Sequence, residues 1–319
     1  MSWLVALWET FTNPVFYKLT LSAATPLIFA ALGGVFSERT GVTNIALEGI
    51  MLMGAFMGVA GTFLFGSPWI GLLLAIVCGM GLALLHAWAS INFCADQIVS
   101  ATALILLAQG LTGFLLEPIF GQPGSTPIFP KIPEVKLTFL GTDSFLYRMI
   151  GSLSPLVYIA FLLVIVSWFL IYKTRLGLRM RAVGENPEAA DTLGVNVFRI
   201  RYFGVIMSGF FAALGGAYLS IGELGQFTEN MTGGKGFIAL AAMILGNWKP
   251  AGAMWACLLF GVAQALNQQL QSNPTLAISS TTKPLFNLLP FVITLIVVGG
   301  FVGRTRAPAA DGVPYEKKG

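Results

Sequence analysis

Apolar residues in this chain do not alternate with polar ones; they run in long blocks separated by short polar turns. Blocks at 19–36, 43–65, 69–91, 97–116, 152–172, 202–222, 250–270 and 284–302 approach or exceed the roughly 20 apolar residues that carry an α-helix across a bilayer. A ninth, shorter segment lies at 234–247. The pattern predicts an all-α, polytopic bundle of about nine to ten membrane segments in one domain, 19–303. An N-terminal segment, 1–18, precedes it and a tail, 304–319, follows it.

Composition agrees. Of 319 residues, 56% are hydrophobic and 10% are charged, with a mean hydropathy of +0.80. A soluble domain carries roughly 25% charged residues, so that class is excluded. The N-terminus lacks the positive flank of a cleavable signal and is broken by Glu9 and by Asn13-Pro14. Its aromatics, Trp3, Trp8, Phe11, Phe16 and Tyr17, suit a segment lying at the membrane interface. Cys78, Cys94 and Cys257 are odd in number and lack metal-ligand spacing, which makes them small packing residues. His86, the single histidine, reads as packed in its span, because a proton relay needs further titratable partners.

The net charge of +4 reports orientation and membrane lipid rather than a nucleic-acid partner. Placing 173–201 in the cytoplasm puts twelve of the 18 basic residues inside and six outside. The opposite orientation reverses that ratio and is rejected. The loops at 117–150, 223–233 and 271–283 then lie outside.

Lys173–Arg201 is a polar island containing Lys173, Arg175, Arg179, Arg181, Arg199 and Arg201. At its centre, Gly184-Glu185-Asn186-Pro187-Glu188-Ala189-Ala190 runs on to Gly194 and reads as a short helix with both ends specified. Asn186 is a good N-cap, and Pro187 suits the first helical position, where a missing N–H costs nothing. Glu188 favours the positive end of the helix dipole, and Gly194 can take the left-handed conformation that ends the helix. Ala189, Ala190 and Leu193 form a small apolar face. Such a helix on the cytoplasmic side is built to dock on a partner.

Two stretches interrupt the pattern of full-length helices. Thr40–Gly54 and Thr232–Gly246, aligned without gaps, share the opening Thr-Gly, a Met and the final Gly. The first enters from inside and the second from outside, as an inverted repeat would leave them. The external loop carries Pro118, Pro123, Pro127, Pro130 and Pro133, which predicts a stiff, extended surface segment.

No constellation for covalent chemistry is present. Gly233-Gly234-Lys235-Gly236 lacks the spacing and hydroxyl of a phosphate loop, and no His-Glu-x-x-His, Cys-x-x-Cys or Ser/His/Asp set occurs. The spans instead carry neutral hydrogen-bonding groups. Gln264, Gln268 and Gln271 share one helix face, with Asn267 beside them. Gln109 lies mid-span, and Asn44 and Glu48 open the 43–65 block, Glu48 at a depth expected to reach the cytoplasmic interface. Amides in hydrocarbon pair with one another or face a wet path, and both readings stand for these residues. A path so lined suits a neutral, hydroxyl-rich solute. Intramembrane carboxylates are too few for a proton-driven carrier, so transport driven by another subunit fits better than self-powered transport.

Leu32-Gly33-Gly34-Val35-Phe36-Ser37-Glu38-Arg39-Thr40-Gly41-Val42-Thr43-Asn44-Ile45-Ala46-Leu47-Glu48-Gly49, with Gly184-Glu185-Asn186-Pro187-Glu188-Ala189-Ala190, resembles the permeases of bacterial ATP-binding cassette importers. Within them it is most similar to the nucleoside or simple-sugar branch of the branched-chain amino acid/ribose-type family. The resemblance implies two inverted halves like those of the vitamin B12 and ribose importer permeases. It makes Glu185–Gly194 the coupling helix seated in an ATPase subunit. It also implies a tandem-domain ATPase, a second homologous permease and an external nucleoside- or sugar-binding lipoprotein or periplasmic protein. ATP would be bound by the partner, with no cofactor on this chain, in the bacterial cytoplasmic membrane. A ribose-type sugar permease and a self-sufficient secondary transporter are the alternatives.

Overall fold

The computed structural model describes residues 8–272, 292 and 305–317. Its long helices are α1 (Pro14–Glu38), α2 (Leu47–Phe65), α3 (Pro68–Ala87) and α4 (Gln97–Phe120) in the first part of the chain. After a short helix, α5 (Phe145–Ile150), come α6 (Pro155–Lys173), α7 (Arg175–Glu185), α8 (Pro187–Thr192) and α9 (Val197–Ala217). The last described helices are α10 (Lys235–Leu245) and α11 (Pro250–Ser272). Single π-turns, Trp88–Asn92 and Tyr218–Leu224, extend α3 and α9.

Among the described residues, six helices are long and apolar enough to cross a membrane: Pro14–Glu38, Leu47–Phe65, Pro68–Asn92, Gln97–Phe120, Pro155–Lys173 and Val197–Leu224. The chain is therefore a multi-pass helical membrane protein. Two expected boundaries move. The first membrane helix starts at Pro14, capped by Asn13, so 14–18 belong to it rather than to the N-terminal segment. The 43–65 block loses its first four residues to an unwound turn. The 250–270 block is the full-length α11, but its amides lower its hydropathy below that of the six. The 284–302 block lies outside the described residues, Val292 apart. At 11 residues, α10 extends about 16 Å, too short to cross.

α1, α2 and α9 form the centre, with 78%, 83% and 83% of their apolar windows buried, against 39%, 22% and 33% for α3, α4 and α6. α1 and α9 run antiparallel: Pro26 lies against Gly215, Gly33 against Ser208 and Phe36 against Gly204. Small residues permit this approach, which supplies the packing energy that lipid does not. The outer helices present exposed Leu73, Val77, Leu106, Phe114, Ile165 and Phe169, side chains at home against lipid tails or an apolar partner.

At the end of the bundle where α4 finishes, the proline-rich segment is extended as expected and crosses to the turn after α9. Thr126, Phe129 and Ile132 donate their backbone N–H groups to Phe227, Gly225 and Ile221, at 2.9, 2.7 and 2.9 Å. A two-residue ribbon follows, β1 (Val135–Lys136) antiparallel to β2 (Ser152–Leu153), with Val135 opposite Leu153.

Candidate functional site

The polar island folds as its sequence requires. The Asn186 side chain accepts from the Ala189 N–H at 3.0 Å, and Pro187 opens α8. Gly194 sits at φ 79°, and its N–H bonds the Asp191 carbonyl at 2.8 Å, closing the helix. Glu185, Glu188, Ala189 and Leu193 are exposed, Leu193 at 85%. Ala190 corrects the expected face: it is 3% exposed and packs inward, fixing α8 to the protein body. The outward apolar surface is therefore Ala189 and Leu193, flanked by Glu185 and Glu188. An exposed leucine at a helix end, beside carboxylates, is the kind of knob a groove in a partner receives.

The second polar centre surrounds the unwound turn between α1 and α2. Asn44 is fully buried, and its amide donates to Ser208 Oγ at 2.6 Å while its oxygen accepts from the Ala46 N–H at 3.0 Å. Ser208 lies near the middle of the helical run Val197–Leu224, so this turn reaches deep between the helices. Thr43 N–H donates to Gln97 Oε1 at 2.7 Å, and the Thr43 carbonyl lies 3.0 Å from His86 Nε2. His86 Nδ1 lies 3.1 Å from Ser100 Oγ. It is a packed, satisfied histidine, as expected.

Glu48 differs from expectation. Its carboxyl does not reach the cytoplasmic interface. Oε1 accepts from the Gly234 N–H at 2.8 Å, and Oε2 accepts from the Gly236 N–H at 2.6 Å. These amides open α10, which has no partner for them in its own sequence. A carboxyl there completes the hydrogen bonding and complements the helix dipole. Glycine is required at 236, because a Cβ would stand 2.6 Å from the Glu48 backbone. The two stretches that resemble each other, Thr40–Gly54 and Thr232–Gly246, thus meet at this bond. From it, α2 runs outward and α10 runs inward, toward Trp248. The Trp248 indole N–H donates to Glu38 Oε2 at 2.5 Å.

The remaining amides do not join this centre. Gln109 is exposed on α4, and Gln264 and Gln268 are exposed on α11. Asn267 is half-buried and accepts from Gln271 Nε2 at 2.7 Å. The described residues contain no cluster of three or more His, Cys, Asp or Glu suited to a metal ion. Residues missed by sequence reasoning are Ser208 and Asp311. Asp311 Oδ1 accepts from Thr43 Oγ1 at 3.1 Å. Burial raises its carboxyl to about 6, against the lowering influence of Thr43, Glu38 and Arg201. An isolated Asp in a polar tail carries no local signal of this partner.

Residues 17–298 match the family described as branched-chain amino acid transport system / permease component. The chain belongs to that family. This permease is 42% identical to the guanosine ABC transporter permease protein NupQ of Bacillus subtilis (strain 168), covering 93% of this chain and 95% of the relative. It is 42% identical to the nucleoside ABC transporter permease protein NupC of Lactococcus lactis subsp. cremoris, covering 92% and 94%. It is 38% identical to the putative glucose ABC transporter permease protein TsgC13 of Haloferax volcanii, covering 90% and 92%. No solved structure matches at a significant level.

Proposed function

We propose that this permease is the membrane-spanning, non-catalytic subunit of an ATP-driven importer that carries nucleosides across the bacterial cytoplasmic membrane. The observation that carries the reading is 42% identity, over more than nine-tenths of the chain, to permeases named for guanosine and nucleoside transport. α8 docks in a partner ATPase of tandem-domain type, which binds and hydrolyses the ATP, so this chain needs no cofactor. The exposed apolar faces of α3, α4 and α6 suit lipid and a second permease of the same family. An external binding protein delivers the solute. The exposure of Gln109, Gln264 and Gln268 supports the reading that they line a path for a hydroxyl-rich solute, with Asn44 and Glu48 holding the unwound turn within the bundle.

The test is uptake of radiolabelled purine and pyrimidine nucleosides in cells lacking this chain, with and without its return on a plasmid. The expected result is loss of nucleoside uptake, restored by the plasmid. Unchanged uptake of every nucleoside, with loss of glucose or ribose uptake instead, would transfer the chain to the sugar reading. That second reading draws on the 38% identity to the putative glucose permease.

A further inference from the structure

The tail after the last membrane block reads in sequence as an appendage, yet residues 305–317 are built into the cytoplasmic face. Arg306 N–H donates to Asn247 Oδ1 at 3.0 Å, and Ala310 N–H donates to the Gly184 carbonyl, just before α8, at 2.8 Å. Asp311 accepts from Thr43 Oγ1 and lies beside the Glu38 carboxyl. Arg201 Nη1 donates to the Val313 carbonyl at 3.0 Å, and its guanidinium lies 5.9 Å from the Tyr315 ring. Tyr315 also packs on Phe198, with ring centroids 5.7 Å apart, and lies close to the Asp191 carboxylate of α8. Lys317 Nζ lies 3.9 Å from the Asp191 carboxylate.

We propose that residues 305–317 form a strut that transmits displacement of α8 to the unwound Thr40–Asn44 turn. This rests on the reading of α8 as the ATPase-docking helix. The C-terminal end of the strut meets α8 at Asp191, and Ala310 holds the Gly184 carbonyl at the close of α7. The middle of the strut holds the turn, through Thr43 and Glu38. From that turn, Asn44 leads to Ser208 near the middle of the Val197–Leu224 run, and Glu48, at the start of α2, makes the contact with α10.

Three features make the segment stiff enough for the task. Pro308 and Pro314 restrict its backbone, and the Asp311 and Val313 N–H groups close turns on the Pro308 and Ala310 carbonyls at 3.1 and 3.2 Å. Arg201 is 1% exposed, and its guanidinium finds the Val313 carbonyl and the Tyr315 ring, both in the tail, while Nε and Nη2 have no hydrogen-bond partner. Withdrawing the tail would leave that cation buried and uncompensated, which is costly, so the tail moves with its neighbours rather than peeling away. A cleft of about 410 Å³, lined by Glu185, Pro187, Glu188, Val313, Pro314 and Tyr315, separates strut from helix on the solvent side. That space lets α8 tilt without breaking the bonds at its two ends.

The experiment uses the complete transporter in proteoliposomes and reads nucleoside moved per ATP hydrolysed. In the double variant Asp311→Ala, Tyr315→Ala the ATPase stays bound and hydrolysis continues. Nucleoside per ATP falls about tenfold, the scale set by losing a hydrogen bond to a charged group. Asp311→Asn keeps an oxygen for Thr43 and retains most of the ratio. Lys317→Glu, at an exposed site that cannot disturb folding, lowers it about twofold, as a surface pair allows. An unchanged ratio in the double variant overturns the strut. So does loss of the ATPase or failure of the complex to assemble, since the tail would then serve docking or folding. Leu193→Asp in parallel separates the two readings. If it leaves ATPase and ratio intact, the α8 assignment fails. If it releases the ATPase while the double variant keeps its ratio, only the strut fails.

Discussion

α8 and α10 are both short helices with specified starts, and they obtain their first hydrogen bonds in opposite ways. α8 is capped by its own neighbour, Asn186, on an exposed surface. α10 is capped by Glu48, a residue of the other half of the chain, at a buried site. In water an imperfect cap is replaced by solvent, so a local side chain suffices. Inside a helical bundle no water substitutes, and each stranded N–H costs several kcal/mol. The buried cap therefore also fixes the position of one half against the other, which the exposed cap cannot do.

Breaking the buried cap should have the largest effect. Glu48→Ala strands two amides and should destabilise the protein by about 3 kcal/mol or more, with loss of uptake. Thermal melting of the detergent-solubilised chain checks this, and a melting temperature equal to the parent's would remove the structural role. Ala190→Trp, on the inward face of α8, should cost about 1–3 kcal/mol by overpacking. It should raise protease cleavage around 184–196; an unchanged cleavage pattern would show that Ala190 is not a packing residue.

Asn186→Ala should cost about 1 kcal/mol, confined to α8, because one exposed N–H loses its partner. Hydrogen exchange at the Ala189 amide reads it directly, and an equal loss across α10 would contradict the comparison. The smallest effect is on the tail. The Asp311 carboxyl is raised to about 6 by burial, with Glu38, Thr43 and Arg201 facing it. A raised carboxyl favours the folded state most at low pH. Attachment of the tail should therefore be firmest near pH 4 and loosen as pH rises through about 6. Exchange at the Ala310 amide measures this, and Asp311→Asn should flatten the profile.

The same contrast explains what the sequence disclosed. The membrane helices and the capped α8 rest on composition and on neighbours within four residues, and both were legible. Asn186 and Gly194 take the very geometry their residue types prefer. Glu48, Asp311 and Arg201 act on partners more than a hundred residues away in the chain, and nothing local marks them. Glu48 looked like a shallow carboxylate because its depth was counted along a continuous helix, whereas the chain unwinds before Leu47. Ala190 was placed outward by helical periodicity, which over two turns cannot distinguish a docking face from an anchoring one. Gln109, Gln264 and Gln268 could be read either as paired or as lining a path, because periodicity carries no information on how separate helices are rotated; the structure leaves all three exposed.

The strap of Thr126, Phe129 and Ile132 carries a consequence for motion. It clasps the first half of the chain to the turn after α9 at one end of the bundle, while the Glu48 and Asp311 contacts clasp the halves elsewhere. Helices fastened at three separate levels should move together rather than hinge between the halves. Spin labels at Ser125 and Thr228, which pair across the strap, should therefore keep one separation through the transport cycle, and a changing separation would show that the halves part there.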